Sequence, residues 1–137
     1  MSPIEQEIIE EFEFFDNWMD KYEHIIALGK EMPVIEDEAK VDGNIIKGCQ
    51  SQVWLTATKD EAGHIHFAAD ADALIARGMI ALILRPVQGQ PAEVVANTTY
   101  DFLKEIGLEA HLSPTRANGL RAMIKQIRLY GIAFQAQ

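Results

Sequence analysis

The 137 residues are 48% hydrophobic and 24% charged, the composition of a folded globular domain and not of a disordered tail. Formal net charge is −9, from 21 acids against 12 bases, which argues against phosphate backbones, so no nucleic acid partner is expected. No apolar run approaches ~20 residues, and the one cysteine is too few for an internal disulfide or a thiolate-rich metal site.

The length is that of one domain, taken here as residues 1–137. The acidic start, Met1-Ser2-Pro3-Ile4-Glu5, lacks the cationic-then-apolar order of a secretory signal. With no signal and an unpaired thiol, a cytoplasmic location and no membrane partner are expected. Ser2-Pro3-Ile4-Glu5 offers a capping box with Pro at the first helical position. Ile4, Ile8, Phe12 and Phe15 then form one apolar stripe. Asp16 or Asn17 can cap a second helix bearing Trp18, Tyr22, Ile25 and Ile26, with Gly29 suited to its C-terminal end. These two helices are expected to pack as a hairpin.

Residues 32–43, with Pro33, Glu36, Asp37, Glu38 and the turn pair Asp42-Gly43, have little periodicity and predict an exposed loop. Residues 53–58 are rich in β-branched side chains, Asp60-Glu61-Ala62-Gly63 is a turn, and residues 64–68 alternate. That pattern predicts a hairpin with Ile65 and Phe67 inward and His64 and His66 outward. Asp70 and Asp72 are placed at the start of a strongly apolar helix, residues 73–84, ended by Pro86. Short helices follow near residues 91–96 and 100–106, the second closed by Gly107. The last helix starts at Ser113-Pro114 and carries Leu120, Ile124, Ile127, Gly131 and Phe134 on one face. The fold class expected is α+β, with helices packed on one face of a small antiparallel β-sheet.

The chemistry concentrates at Cys49, on a loop leading into the hairpin. A lone cysteine is commonly a small buried hydrophobe. Here Gly48 precedes it and Gln50-Ser51-Gln52 follow, the composition of a turn and not of a core strand. An ordinary thiol, with a pKa near ~8.5, is only a few per cent thiolate at neutral pH. Lowering that pKa by ~2 units would take ~2.7 kcal/mol of preference for the anion, within reach of a cation such as Lys47 or of backbone N–H groups. His64 and His66 have a spacing that can hold zinc or copper, but no third ligand is near, and a solvated hairpin face accounts for them. His24 and His111 are isolated.

Leu112-Ser113-Pro114-Thr115-Arg116-Ala117-Asn118-Gly119-Leu120 is the second informative stretch. A helix start explains Ser113 and Pro114. It does not explain Arg116, a cation at the positive end of a helix dipole, which points to an anionic partner. Nor does it explain Gly119, which costs ~1 kcal/mol relative to Ala inside a helix and points to close approach by another segment.

Together, Gly48-Cys49-Gln50-Ser51-Gln52-Val53-Trp54 and the Leu112-to-Leu120 stretch resemble the acceptor loop and second signature of the SufE/CsdE family, the sulfur acceptors that partner cysteine desulfurases. Trp18, Lys21, Tyr22, Ile25, Ile26, Leu28 and Gly29 are similar to the family's second helix. Asp70-Ala71-Asp72-Ala73 and Gly78 are similar to the start of its central helix. The resemblance implies that Cys49 receives persulfide sulfur, that Arg116 positions the loop or its thiolate, and that Asp72 tunes the loop or assists docking. It implies a SufE/IscU-like fold and partnership with a SufS/CsdA-like desulfurase and an iron–sulfur scaffold complex. It implies no cofactor on this chain, since the pyridoxal phosphate resides on the desulfurase. The chain would then be a persulfide-forming accessory to that enzyme. The alternatives are a non-covalent activator of a desulfurase, a sulfur supplier to another thiolation pathway, and a thiol enzyme that borrows His24 or His111 as its base.

Overall fold

A computed structural model describes all of residues 1–137. Helix α1 (Pro3–Glu13) begins with a complete capping box: Ser2 Oγ accepts from the Glu5 N–H, and Glu5 accepts from the Ser2 N–H at 2.8 Å. Helix α2 (Trp18–Glu31) is capped by Asn17, whose side chain accepts from the Asp20 N–H at 2.9 Å. The two helices do not pack along their lengths as a hairpin. Instead α1 lies on the short helix α5 (Phe102–Ile106), and α2 lies on α3 (Leu74–Leu84). They meet at His24, which bonds Glu11 and sits edge-on to Phe12.

Two glycines decide the α2–α3 crossing. A Cβ on Gly29 would fall 2.7 Å from the Gly78 backbone nitrogen, and one on Gly78 would fall 2.3 Å from the Ile25 carbonyl oxygen. Gly29 therefore serves close approach in mid-helix and does not end α2, which runs on to Glu31. Apolar residues on nearly every side of α3 fit its position, with Met79, Ile80, Leu82 and Ile83 buried.

Strands β1 (Val53–Lys59), β2 (His64–Ala71) and β3 (Gln90–Pro91) form an antiparallel sheet in that order. Register runs from Val53 opposite Ala71 to Lys59 opposite Ile65. Val53, Leu55, Ile65 and Phe67 fill the core face, while His66 is exposed on the other. His66 bonds Asp60 at 2.8 Å, and no three His, Cys, Asp or Glu side chains converge to hold a metal.

The hairpin is longer than its alternation indicates. Asp70 and Asp72 do not open α3: Asp70 lies inside β2, and α3 starts after an uncapped Ala73. Asp70 is buried because residues 32–43, mostly exposed as expected of a loop, carry Lys40 over that end of the sheet between two short 3₁₀ turns, Asp37–Ala39 and Asp42–Asn44. Lys40 from this cover pairs with Asp70 at 2.7 Å and lies over the Trp54 ring. Arg77 of α3 approaches Asp70 from the other side at 3.5 Å.

After α4 (Ala92–Asn97) and α5, closed by Gly107 in the left-handed conformation, the chain ends in α6 (Pro114–Gln135). Ser113 caps α6 as expected. Tyr130 of α6 packs edge-on to Phe67, laying this helix on the same sheet face as α3 and α4. The result is the α+β arrangement expected.

Candidate functional site around Cys49

Cys49 is carried by a loop hydrogen-bonded at its two ends and held between them by packing alone. At one end the Ile46 N–H donates to the Val53 carbonyl at 2.8 Å. At the other the Gln52 N–H donates to Asp72 Oδ1 at 3.0 Å, and the Asp72 N–H returns a bond to the Gln52 carbonyl at 3.1 Å. No backbone–backbone hydrogen bond holds residues 47–51. Gly48 has φ +94°, a conformation that strains any residue with a Cβ, so the turn presenting Cys49 depends on this glycine.

The thiol turns inward into a pocket of about 70 Å³ lined by Ile75, Ala76 and Met79 of α3 and by Gly119 and Met123 of α6. Its Sγ lies 3.6 Å from the Gly119 carbonyl oxygen, a weak S–H bond and the side chain's one polar contact. A Cβ on Gly119 would meet Sγ at 3.7 Å, so the segment that approaches this glycine is the cysteine loop itself. Cys49 is half-buried, and burial pushes its pKa up with no neighbouring cation opposing the shift. Lys47, the cation expected to favour the thiolate, points to solvent.

Arg116 and Asp72 both lie at this site. Arg116 lines the pocket mouth, but its guanidinium donates to the Tyr22 hydroxyl of α2 and lies over that ring. Asp72 secures the loop's downstream end. Neither histidine reaches the thiol: His24 bonds Glu11, and His111 stacks on Trp18 at 4.1 Å between ring centroids. Neither histidine therefore stands beside Cys49 as a base. No local signal in the chain announces the Tyr22 contact, although Trp18 and Tyr22, four apart on α2, reach His111 and Arg116 on either side of the α6 start. The methionine floor carries no local signal in the sequence.

A family model described as SufE, an Fe–S metabolism associated domain, matches residues 6–130. The chain belongs to the SufE family. Among relatives of this SufE-family chain are uncharacterised SufE-like proteins of Rhizobium etli and Rhizobium meliloti. Each is 41% identical over 132 residues, which cover 93% of this chain and 88% and 94% of theirs respectively. A hypothetical protein of Thermus thermophilus has the same fold at a TM-score of 0.80, with 17% identity and 98% coverage of both chains. No helix of the SufE-family chain is long and apolar enough to cross a membrane.

Proposed function

We propose that this chain is a sulfur carrier: Cys49 accepts sulfane sulfur from a persulfide on a pyridoxal-phosphate-dependent cysteine desulfurase, stimulates that enzyme and delivers the sulfur to an iron–sulfur scaffold. The observation that carries the reading is the loop itself. The chain's one thiol sits on a glycine turn without backbone hydrogen bonds, held in a shallow pocket by a weak contact to Gly119. Such a thiol is sheltered from oxidation at rest and needs only a loop movement to be presented. The reducing cytosol suits it.

The step is thiol–persulfide exchange. The Cys49 thiolate attacks the terminal sulfur of the desulfurase persulfide. A new S–S bond forms on Cys49, the enzyme's own S–S bond breaks, and its cysteine departs as a thiolate. No net oxidant or reductant is consumed, and the proton on the terminal sulfur stays with it. The desulfurase's pyridoxal phosphate breaks the carbon–sulfur bond of cysteine beforehand, and no residue here is assigned to that cofactor. Burial raises the resting thiol's pKa, so docking must also move Cys49 into surroundings that favour the anion. Arg116, beside the pocket, is the available cation.

The test is the intact mass of the protein after incubation with a desulfurase and cysteine. One added sulfur atom, removed by reductant and absent from Cys49→Ser, is expected. Failure to gain sulfur, or a gain that survives in Cys49→Ser, refutes the carrier. Stimulation of turnover that persists in Cys49→Ser without sulfur transfer would identify a non-covalent activator instead.

A further inference from the structure

We infer that the cleft between α5 and the second half of α6 is a binding site for a small organic anion with an apolar body. The cleft has a volume of about 550 Å³, within the ~300–1,000 Å³ of ordinary ligand sites. It gathers Lys104, Arg121, Lys125 and Arg128, four of the 12 bases of a chain whose net charge is −9, against only Asp101 and Glu109. Arg121 faces Glu109 at 3.9 Å and bonds Asn118. Lys104, Lys125 and Arg128 have no carboxylate partner. Three unpaired cations in one concavity of an acidic protein are the complement of an anion.

Two further features give the site its shape. Arg128 is held in place: its Nε donates to the Thr98 carbonyl at 2.9 Å, and its guanidinium lies 5.9 Å from the centroid of the Tyr100 ring. Tyr100 itself has φ +62°, held by a buried ring whose hydroxyl donates to the Ile83 carbonyl at 2.8 Å, so the surface against which Arg128 lies is fixed by the core. Leu129 and Ile132, 45% and 54% exposed, add an apolar wall. Inorganic phosphate would leave that wall uncovered, and an acidic peptide would overrun a cleft of this size, so a carboxylate on a short hydrocarbon chain fits best.

This site is separate from the thiol. The two pockets share no residue. Arg121 follows Gly119 by two positions, about 200° around the helix, so α6 has Cys49 on one face and the cationic cleft on the other. The inference does not rest on the sulfur-carrier reading.

The experiment is a titration of the isotopically labelled full chain, followed by amide NMR shifts. The probes are decanoate below its micelle-forming concentration, inorganic phosphate and hexaglutamate, all at one ionic strength. Saturable shifts with decanoate, confined to residues 99–104 and 121–132, are expected. Affinity should fall at least tenfold in the Lys104→Gln/Lys125→Gln double variant, whose side chains hold no bond in the fold, and should also fall in Ile132→Ser. Cys49→Ser should bind unchanged. No saturable decanoate response, an equal response to phosphate, tighter binding of hexaglutamate, or an unaffected double variant would each overturn the assignment.

Discussion

Arg116 of α6, which lines the cysteine pocket, is tied to Tyr22 of α2, its guanidinium donating to the phenol and lying 5.8 Å from the ring centroid. A cation in the first turn of a helix opposes the dipole, so its side chain needs an external reason to stay there. Tyr22 supplies an anchor that leaves the positive charge uncancelled. Arg116→Ala is expected to slow sulfur acceptance by about tenfold, the scale of a lost charge-assisted hydrogen bond, with thermal unfolding unchanged. Tyr22→Phe keeps the ring and should slow acceptance less. Wild-type transfer rates in both variants would remove the pair from the site.

Gly119 gives a graded test of the pocket. A methyl would meet Sγ at ordinary van der Waals distance, so Gly119→Ala should fold normally and gain up to ~1 kcal/mol from better helix propensity. Gly119→Leu has no room and should evict the cysteine. The readout is the rate of thiol alkylation by iodoacetamide. It should change little in the first variant and rise several-fold in the second. Equal rates in wild type and Gly119→Leu would show that Gly119 does not shelter the thiol.

The thiol's raised pKa has a signed consequence for stability. Between the unfolded pKa, near ~8.5, and the higher folded one, the unfolded chain has released its proton and the folded chain retains it. Folding stability should be fully present below pH ~8.5 and decline as pH rises towards the folded value. Denaturant titrations at pH 7 and pH 10 measure this decline, and Cys49→Ser should lose the part due to the thiol. A decline identical in the two proteins would contradict it.

The α2–α3 crossing should tolerate almost nothing at Gly78. Gly78→Ala places a methyl 2.3 Å from the Ile25 carbonyl oxygen, where backbone must move. Destabilisation of ~1–3 kcal/mol or more is expected despite Ala's better helix propensity. A Gly78→Ala variant as stable as wild type would mean that the helices are not in this contact.

Much of this was legible from residue order because local chemistry agreed with the final packing. Ser2 and Glu5 form their box, Asn17 and Ser113 cap, and Ile65 and Phe67 face inward. The site was legible for a related reason: Arg116 and Gly119 each violate a helix preference, and both violations occur at the cysteine pocket. What stayed hidden depends on distant partners. Asp70 and Asp72 look like helix-opening acids until Lys40 and Arg77 claim the first and the Gln52 N–H the second. Gly29 looks like a helix stop until Gly78 is placed against it. The two-residue strand Gln90–Pro91 exists only by pairing with His64 and Ile65, so no periodicity announces it.

With no backbone hydrogen bond in residues 47–51 to rupture, turning the sulfur outward gives up only packing: the seat of Cys49 against Gly119 and the pocket walls, and the approach of Gly48 to Ala122. If the chain is the sulfur carrier proposed, a docking enzyme has only that packing to displace, and the loop can settle back once its cargo has been given up.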